Sequence, residues 1–527
     1  MNRHDSLQDL RARDEPWDMV IVGGGATGVG TAVDAASRGY SVLLLEQSDF
    51  GKGTSSRSTK LVHGGVRYLQ KGNVSLVMGA LKERGILRRN APHLVHDLMF
   101  IVPNYDWWEA PFYGIGMKVY DMLAGRYGFG TSKLLSREET IAHLPTIETD
   151  GLRGGVMYYD GQFDDARLLI NLLTTAVEQG AISLNYVQVT GLSKDANGFV
   201  HGVTARDMET GEAFDIAAGS VINATGPFAD DVRRMSDSNA KAIVVPSQGT
   251  HIMLPGAFLP GDAAIMVPRT SDGRVLFVIP WNGCALVGTT DTPIDTPTLE
   301  PRPTDEEIDF ILETAAVYLE KNPTRADVLS IFTGIRPLVR ETGEDREDVA
   351  DVDTSALSRD HTIHIDRAGL LTIAGGKWTT YRKMAEDAVD HAATLARLED
   401  RPCVTGDLKI HGYHQRADRF GQLEHYGSDA PAIEDLIQSD PRYAELVHPE
   451  LPCRRGEVIW AVREEAARTV DDFLARRTRC LLLNARAAMA AAPIVAELMA
   501  SELSWDQDWQ EAQVRDFRAM AAGYVLT

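Results

Sequence analysis

Apolar residues along this chain recur in two rhythms, and the changes of rhythm mark its elements. Met19-Val-Ile-Val22 is a short unbroken apolar run, Gly23 to Gly30 is a glycine-rich turn, Thr31 to Arg38 carries helical spacing, and Val42-Leu-Leu-Leu45 is a second apolar run. Two such runs joined by a glycine turn and a helix predict a βαβ unit. Ser220-Val-Ile-Asn223 and Leu370-Leu-Thr-Ile-Ala374 repeat the pattern, each followed by a glycine turn and helical spacing. They are expected to extend the same sheet, which makes the domain discontinuous in sequence.

Between them, Ile243 to Asp291 is rich in β-branched residues and broken by turn signals such as Ser271-Asp-Gly273, the mark of antiparallel strands. Thr304-Asp-Glu-Glu307 has capping-box spacing ahead of Ile308, Phe310, Ile311 and Ala315, so a helix closes this part. From about Leu398 onward Ala, Leu, Arg and Glu dominate at helical spacing, with Pro452 and Pro493 as expected breaks. The fold class is read as α/β. A discontinuous Rossmann-like dinucleotide domain takes residues 18–95, 151–240 and 331–395, and a substrate- or membrane-facing segment takes 96–150. A mixed or antiparallel β domain covering the substrate takes 241–330, and a separate helical C-terminal domain takes 396–527.

Length agrees with several domains, since single cores stop growing near ~250–300 residues and this chain has 527. No run of ~20 uncharged apolar residues occurs and Met1 to Asp18 is polar, so neither a membrane span nor an export signal is expected. Cys284, Cys403, Cys453 and Cys480 lie far apart without metal or redox spacing. That suggests no metal site, no disulfide framework and a reducing cytosol. The formal net charge of −22 argues against nucleic acid and allows contact with an anionic membrane only through a local patch. A candidate patch lies between Gly51 and Asn90, where Lys52, Arg57, Lys60, Arg67, Lys71, Lys82, Arg84, Arg88 and Arg89 stand against only Glu83. The same cations could instead face an anionic ligand.

Gly23, Gly25 and Gly28 form G-x-G-x-x-G between a strand and a helix, and Glu46 ends the next strand 23 residues after Gly23. Gly23 makes the tight turn, Gly25 admits the pyrophosphate to the backbone, Gly28 allows close helix packing, and Glu46 accepts from the ribose hydroxyls. An acid there disfavours a 2′-phosphate. FAD is favoured over NAD by Thr54-Ser-Ser-Arg-Ser-Thr-Lys60 and His63-Gly-Gly65, a polar loop suited to the far phosphate and the flavin. Asn223-Ala-Thr-Gly-Pro227 and Gly375-Gly-Lys-Trp-Thr-Thr-Tyr381 resemble flavin-contact segments of amine-oxidase-like flavoproteins. The cofactor contacts expected are Gly23, Gly25, Gly28, Glu46, Thr54, Ser55, Ser56, Lys60, His63, Gly64, Gly65, Ala224, Thr225, Gly226, Gly376, Lys377, Thr379 and Thr380.

Taken together, TSSRSTKLVHGGVRYL (54–69), INATGP (222–227), VGTTDT (287–292), TGIRPL (333–338) and GGKWTTYRK (375–383) resemble the FAD-dependent glycerol-3-phosphate dehydrogenases. The likeness runs in order over residues 18–395 and, more weakly, through Asp471-Asp-Phe-Leu-Ala-Arg-Arg-Thr-Arg479. Trp378, where leucine is usual, and the acidic stretch Glu341 to Asp353 are departures. The resemblance implies Arg67, Tyr68, His251, Arg336, Arg359 and Lys377 as substrate contacts, with Arg suited to a phosphate through its bidentate fork. It implies hydride transfer from C2 of glycerol 3-phosphate to flavin N5, giving dihydroxyacetone phosphate. His63 and His251 are the candidate bases, and either could serve only as a hydrogen-bonding partner. Lys377 and the helix after it are suited to stabilising the reduced flavin.

The resemblance also implies a monotopic enzyme on the cytoplasmic membrane face that reduces a quinone, with a homodimer possible. Aromatic residues from Trp107 to Tyr120 suit such an interface, although a buried core would use them equally. Three rivals share the flavin. A glycerol-3-phosphate oxidase would discharge to oxygen, an amino-acid oxidase would need one Arg for a carboxylate, and a non-catalytic flavoprotein would leave the cation cluster without a purpose.

Overall fold

The computed structural model describes residues 1–65, 73–268, 270, 273–340 and 360–526. Arg67, Tyr68 and Arg359 lie outside the described residues, as do Lys71, Ser271, Asp272 and Glu341 to Asp353.

The first sheet is the nucleotide sheet expected from the apolar runs. Its strands lie in the order His361–Ile365, Leu371–Gly375, Ala213–Asn223, Trp17–Val22, Val42–Leu45, Ile182–Leu184, with Val187–Lys194 and Val200–Asp207 running off the Ala213–Asn223 strand. Trp17–Val22 pairs parallel with both neighbours, Val22 matching Leu45 on one side and Asn223 on the other. Alternation sorts its side chains. Met19 and Ile21 face a core with the helices Ala26–Ser37, Asp165–Glu178 and Tyr381–Leu395, while Val20 and Val22 face a second core with Leu7 and Leu10 of the N-terminal helix Arg3–Ala12. The polar leader is thus partly helical, tied down by Arg3, whose guanidinium donates to Asp207 at 2.7 Å.

The helix after the glycine turn starts at Ala26, five residues before the expected Thr31. Close packing is the reason, because Gly28 and Gly30 belong inside the helix. A Cβ on Gly28 would lie 1.9 Å from the Gly23 carbonyl oxygen, and one on Gly30 would lie 2.7 Å from the Tyr381 ring.

The second sheet runs Thr292–Pro293, Val244–Pro255, Cys284–Gly288, Leu276–Trp281, Ala263–Val267, Val95–Asn104, Gly154–Phe163, Leu61–Val62, with Ser330–Val339 paired to Val244–Pro255 and Lys133–Ser136 to Gly154–Phe163. It corrects several expected boundaries. Gly154–Phe163, Leu61–Val62 and residues 331–339 of the strand Ser330–Val339 fall within the expected nucleotide segments yet pair here, and Val95–Asn104 joins by a parallel pairing with Ala263–Val267. These strands come from four separate stretches of chain, so spacing along the sequence could not assign them. The turn at 270–273 is present in its described part, where Gly273 N–H donates to the Thr270 carbonyl at 2.9 Å. The capping box is also present, opening the helix Asp305–Tyr318 on the outer face of this sheet.

The C-terminal region is helical, as expected, but it is not separate. Its helices Arg455–Glu464, Ala485–Leu503 and Gln507–Ala521 share one core with Met253, Leu286 and Phe332 of the second sheet. Pro452 falls between helices, whereas Pro493 sits inside Ala485–Leu503 and does not end it. Proline there frees the carbonyl four residues earlier. That carbonyl, of Met489, accepts instead from Arg518 Nε at 3.1 Å. The fold also brings two sequence-distant thiols together, Cys453 Sγ and Cys480 Sγ lying 3.1 Å apart in this core as free cysteines.

Candidate active site

Several sequence-distant segments build one cavity of about 490 Å³ at the C-terminal ends of the parallel strands. Of the expected cofactor residues, Gly23, Gly25, Glu46, Thr54, Ser55, Ala224, Thr225, Gly226, Gly376 and Lys377 line it. Gly23 has φ of +109°, and a Cβ there would lie 2.7 Å from the Ala224 carbonyl oxygen, so the turn and the neighbouring strand end meet only through glycine. Gly25 caps the helix Ala26–Ser37 without a side chain, leaving backbone donors at the cavity wall; one of them, Ala26 N–H, already donates to Ser55 Oγ at 2.9 Å. Glu46 is pinned from behind, each oxygen accepting one backbone N–H, from Gly24 at 2.7 Å and from Ser48 at 2.9 Å. Burial lifts its pKa, and those two donors pull it back. Each oxygen keeps lone-pair capacity toward the cavity.

The loop from Asp49 to Lys60 is held by residues far away in sequence. Trp378 Nε1 donates to the Ser55 carbonyl at 2.8 Å, so the departure from leucine supplies a cross-link between two lining loops. Thr54 Oγ1 donates to the Ile335 carbonyl at 2.5 Å. Lys60 does not reach the cavity: it is fully buried, donating to Asp165 at 2.7 Å and to the Ser56 carbonyl at 3.0 Å, with burial lowering its pKa to about 8. Arg479 donates to the same Ser56 carbonyl at 2.6 Å and to Asp165 at 2.9 Å. Ser58 N–H and Oγ complete the ring around Asp165. Arg476 and Arg477 both reach Asp49, at 2.5 and 2.8 Å, and Lys52 reaches Asp471 at 2.6 Å.

Farther along, His63 N–H donates to Thr379 Oγ1 at 3.2 Å, and Gly64 N–H donates to Tyr120 Oη at 2.9 Å. Tyr120 in turn donates to Asp160, which Arg84 pairs at 2.6 Å. The His63-Gly-Gly65 loop is therefore anchored to the helix Trp378–Thr380 and to Tyr120, while Thr380 turns back on the Lys377 carbonyl.

Arg336 and His251 occupy neighbouring antiparallel strands, with Ser247 opposite Arg336 and Phe332 opposite His251. The guanidinium lies flat over Gly249, where a Cβ would come within 2.4 Å of it. It donates to Asp291 at 3.1 Å, Thr289 Oγ1 at 3.1 Å, the Thr290 carbonyl at 3.0 Å and the Gln248 carbonyl at 3.4 Å. Asp291 thus provides a carboxylate partner for the guanidinium. His251 is 2% exposed, stacks on Phe332 and contacts Thr59 Oγ1 through Nε2 at 2.9 Å. Burial first, then Lys60 and Arg336, push its pKa well below the ordinary value, so it stays neutral.

Among the described residues, most cations of the basic run between Gly51 and Asn90 are paired with carboxylates. Lys52, Arg57, Lys60 and Arg84 are paired with Asp471, Glu300, Asp165 and Asp160, and the exposed Arg88 and Arg89 pair with Asp97 and Asp407. Asp49 and Asp165 carry no motif of their own, and the cations that pair with them arrive from segments more than a hundred residues away.

A glycine cradle on parallel strand ends, an acid poised for ribose and a cross-linked loop beside them fit FAD, and the chain is an FAD-dependent oxidoreductase. The profile described as "FAD dependent oxidoreductase" matches residues 18–382, and that described as "C-terminal domain of alpha-glycerophosphate oxidase" matches 371–510. The chain belongs to the FAD-dependent glycerol-3-phosphate dehydrogenase family. It is 41% identical to the probable mitochondrial glycerol-3-phosphate dehydrogenase of Caenorhabditis elegans over 98% of this chain and 74% of that protein. It is 40% identical to the mitochondrial glycerol-3-phosphate dehydrogenase of Homo sapiens over the same shares. The crystal structure of the glycerol-3-phosphate dehydrogenase of Bacillus halodurans complexed with FAD superposes with a TM-score of 0.80, 29% identity and coverage of 99% and 98%. L-alpha-glycerophosphate oxidase of Mycoplasma pneumoniae, at 18% identity and a TM-score of 0.55 over 74% of this chain, shares the fold.

Proposed function

We propose that this chain oxidises glycerol 3-phosphate to dihydroxyacetone phosphate and passes the electrons to a membrane quinone. The observation that carries the substrate reading is Arg336. It is partly exposed at 20%, pre-aimed by four acceptors, and flanked by Ile335, which holds Thr54, and Pro337, which lines the FAD cavity. A planar fork so held pairs with a phosphate at little cost in ordering. The relatives' names point to the same substrate.

FAD, when bound, supplies the hydride acceptor at N5. Lys377, on the cavity wall before the helix Trp378–Thr380, would add positive potential where negative charge develops. Of the two histidines, we assign the proton acceptor's part to His63. His251 is closed off by Phe332, and its strongly lowered pKa makes it a weak base. Arg67, Tyr68 and Arg359 complete the proposed substrate contacts.

The quinone reading draws support from the helix Glu109–Ala124. Its inner face buries Tyr113, Met117, Tyr120 and Ala124, yet its outer face leaves Phe112, Ile115 and Met122 at 54, 69 and 74% exposed, next to Trp107 at 78%. An apolar face turned to water suits a lipid interface. No helix among the described residues is long and apolar enough to cross a membrane.

The test mixes purified protein with glycerol 3-phosphate. Anaerobic bleaching of the flavin is expected, followed by faster recovery of the yellow form with a soluble quinone analogue than with oxygen. No bleaching would overturn the substrate, and faster recovery with oxygen would overturn the quinone in favour of an oxidase.

A further inference from the structure

Glu307 is 4% exposed and accepts five hydrogen bonds. Its Oε2 takes Gln248 Nε2 at 2.7 Å, Thr250 Oγ1 at 3.0 Å and Thr304 N–H at 3.1 Å; its Oε1 takes Thr290 Oγ1 and Thr292 Oγ1, both at 2.7 Å. A capping box needs only the bond to Thr304. The other four reach out of the helix to segments 248–250 and 290–292. Those segments, with Thr289 between them, carry every acceptor given above for Arg336: the carbonyls of Gln248 and Thr290, Thr289 Oγ1 and Asp291. Thr250 Oγ1 also bonds Thr333 Oγ1 at 2.9 Å, three residues before Arg336 on its own strand. No hydrogen bond joins Glu307 to Arg336 among those described. The carboxylate sits one layer behind, knitting together the wall against which the guanidinium lies.

We propose that Glu307 is a positioning residue for substrate binding, acting by fixing the acceptors that aim Arg336; this rests on the reading of Arg336 as a phosphate ligand. Only an ionised carboxylate accepts five times while offering nothing back. Glutamine has the same shape but turns one oxygen into a donor. Facing Thr290 and Thr292, it reverses both hydroxyls; facing Gln248 and Thr304, it meets donors that have nowhere to turn. Either outcome loosens the wall, and a shift near an ångström at a binding fork is enough to lose up to about a hundredfold.

The experiment compares Glu307→Gln, Arg336→Lys and the double variant as FAD-loaded enzymes. Glu307→Gln is expected to keep its flavin, raise KM for glycerol 3-phosphate about tenfold and leave kcat within about threefold. Because both changes act through one guanidinium, the KM increments of the single variants should fail to multiply in the double variant. A KM within about twofold of the parent in Glu307→Gln, or increments that multiply, overturns the proposal. If Arg336→Lys itself leaves KM unchanged, the phosphate reading fails first and this inference falls with it. Should Glu307→Gln lose FAD, Thr292→Val decides, since its hydroxyl bears on Arg336 only through Glu307. A raised KM there supports the proposal, and an unchanged KM with full flavin overturns it.

Discussion

Gly25 and Arg336 show how far single residues could be read from the sequence. Gly25 was legible because its role is local: it opens a helix end whose donors face the cavity, and a Cβ there already comes within 3.0 Å of Ser55 Oγ. Gly25→Val adds two methyls at that wall, so the purified variant should be colourless; full flavin absorbance would refute the cradle. Arg336 was legible only through the family likeness, and its counter-charge, Asp291 in the neighbouring loop, was not. Truncating a partly buried, hydrogen-bonded guanidinium removes roughly 2–5 kcal/mol, or tens to several thousandfold in kcat/KM. Arg336→Ala should lose that much with glycerol 3-phosphate and retain FAD, and near-normal kcat/KM would move the phosphate elsewhere. Nothing near Lys60 and His251 in sequence announces Asp165 or Phe332, against which they are buried.

Elements were legible where one face decides and illegible where long-range contacts do. The capped helix Asp305–Tyr318 follows from four consecutive residues, whereas the early start at Ala26 depends on Gly28 meeting Gly23 and could not be seen as spacing. Pro493 misled for the same reason, its freed carbonyl being satisfied by Arg518 from another helix. The helix Glu109–Ala124 carries apolar residues on both faces, and only the fold separates the buried set from the exposed one. Magnitudes decide how it would hold a membrane. Each large apolar side chain fully moved out of water contributes about 1.5–3 kcal/mol, against about 1 kcal/mol per cation at an anionic surface. With Arg57, Arg84, Arg88 and Arg89 already paired, binding to vesicles should resist salt, in place of a salt-sensitive attachment through the basic run. Ile115→Glu should release the protein in a sedimentation assay without altering the flavin spectrum; undiminished sedimentation would remove this helix from the interface.

At the scale of the molecule, the C-terminal helices are joined to the nucleotide sheet by buried charge. Burial pushes the carboxyls of Asp49, Asp165 and Asp471 upward, but Arg477 and Arg476, Lys60 and Arg479, and Arg476 and Lys52 respectively hold all three below the ordinary range. Their folded pKa values lie under the unfolded value of about 3.9, so the stability they lend is present above it and disappears as pH falls through the folded values. Thermal stability should hold between about pH 6 and 5 and decline below about pH 4, with flavin release and tryptophan fluorescence changing together. Flavin leaving while the C-terminal helices stay docked would contradict the coupling. The motif Asp471 to Arg479 was legible as a family likeness, but its grip on Asp49, Ser56 and Asp165 was not. That grip fixes an order of events during synthesis. The loop beside the cofactor emerges among the first sixty residues, yet the arginines that set its shape are numbered 476, 477 and 479. Asp49 therefore waits for arginines more than four hundred positions later in the chain, and the cradle beside it can take its final shape only once they have been made.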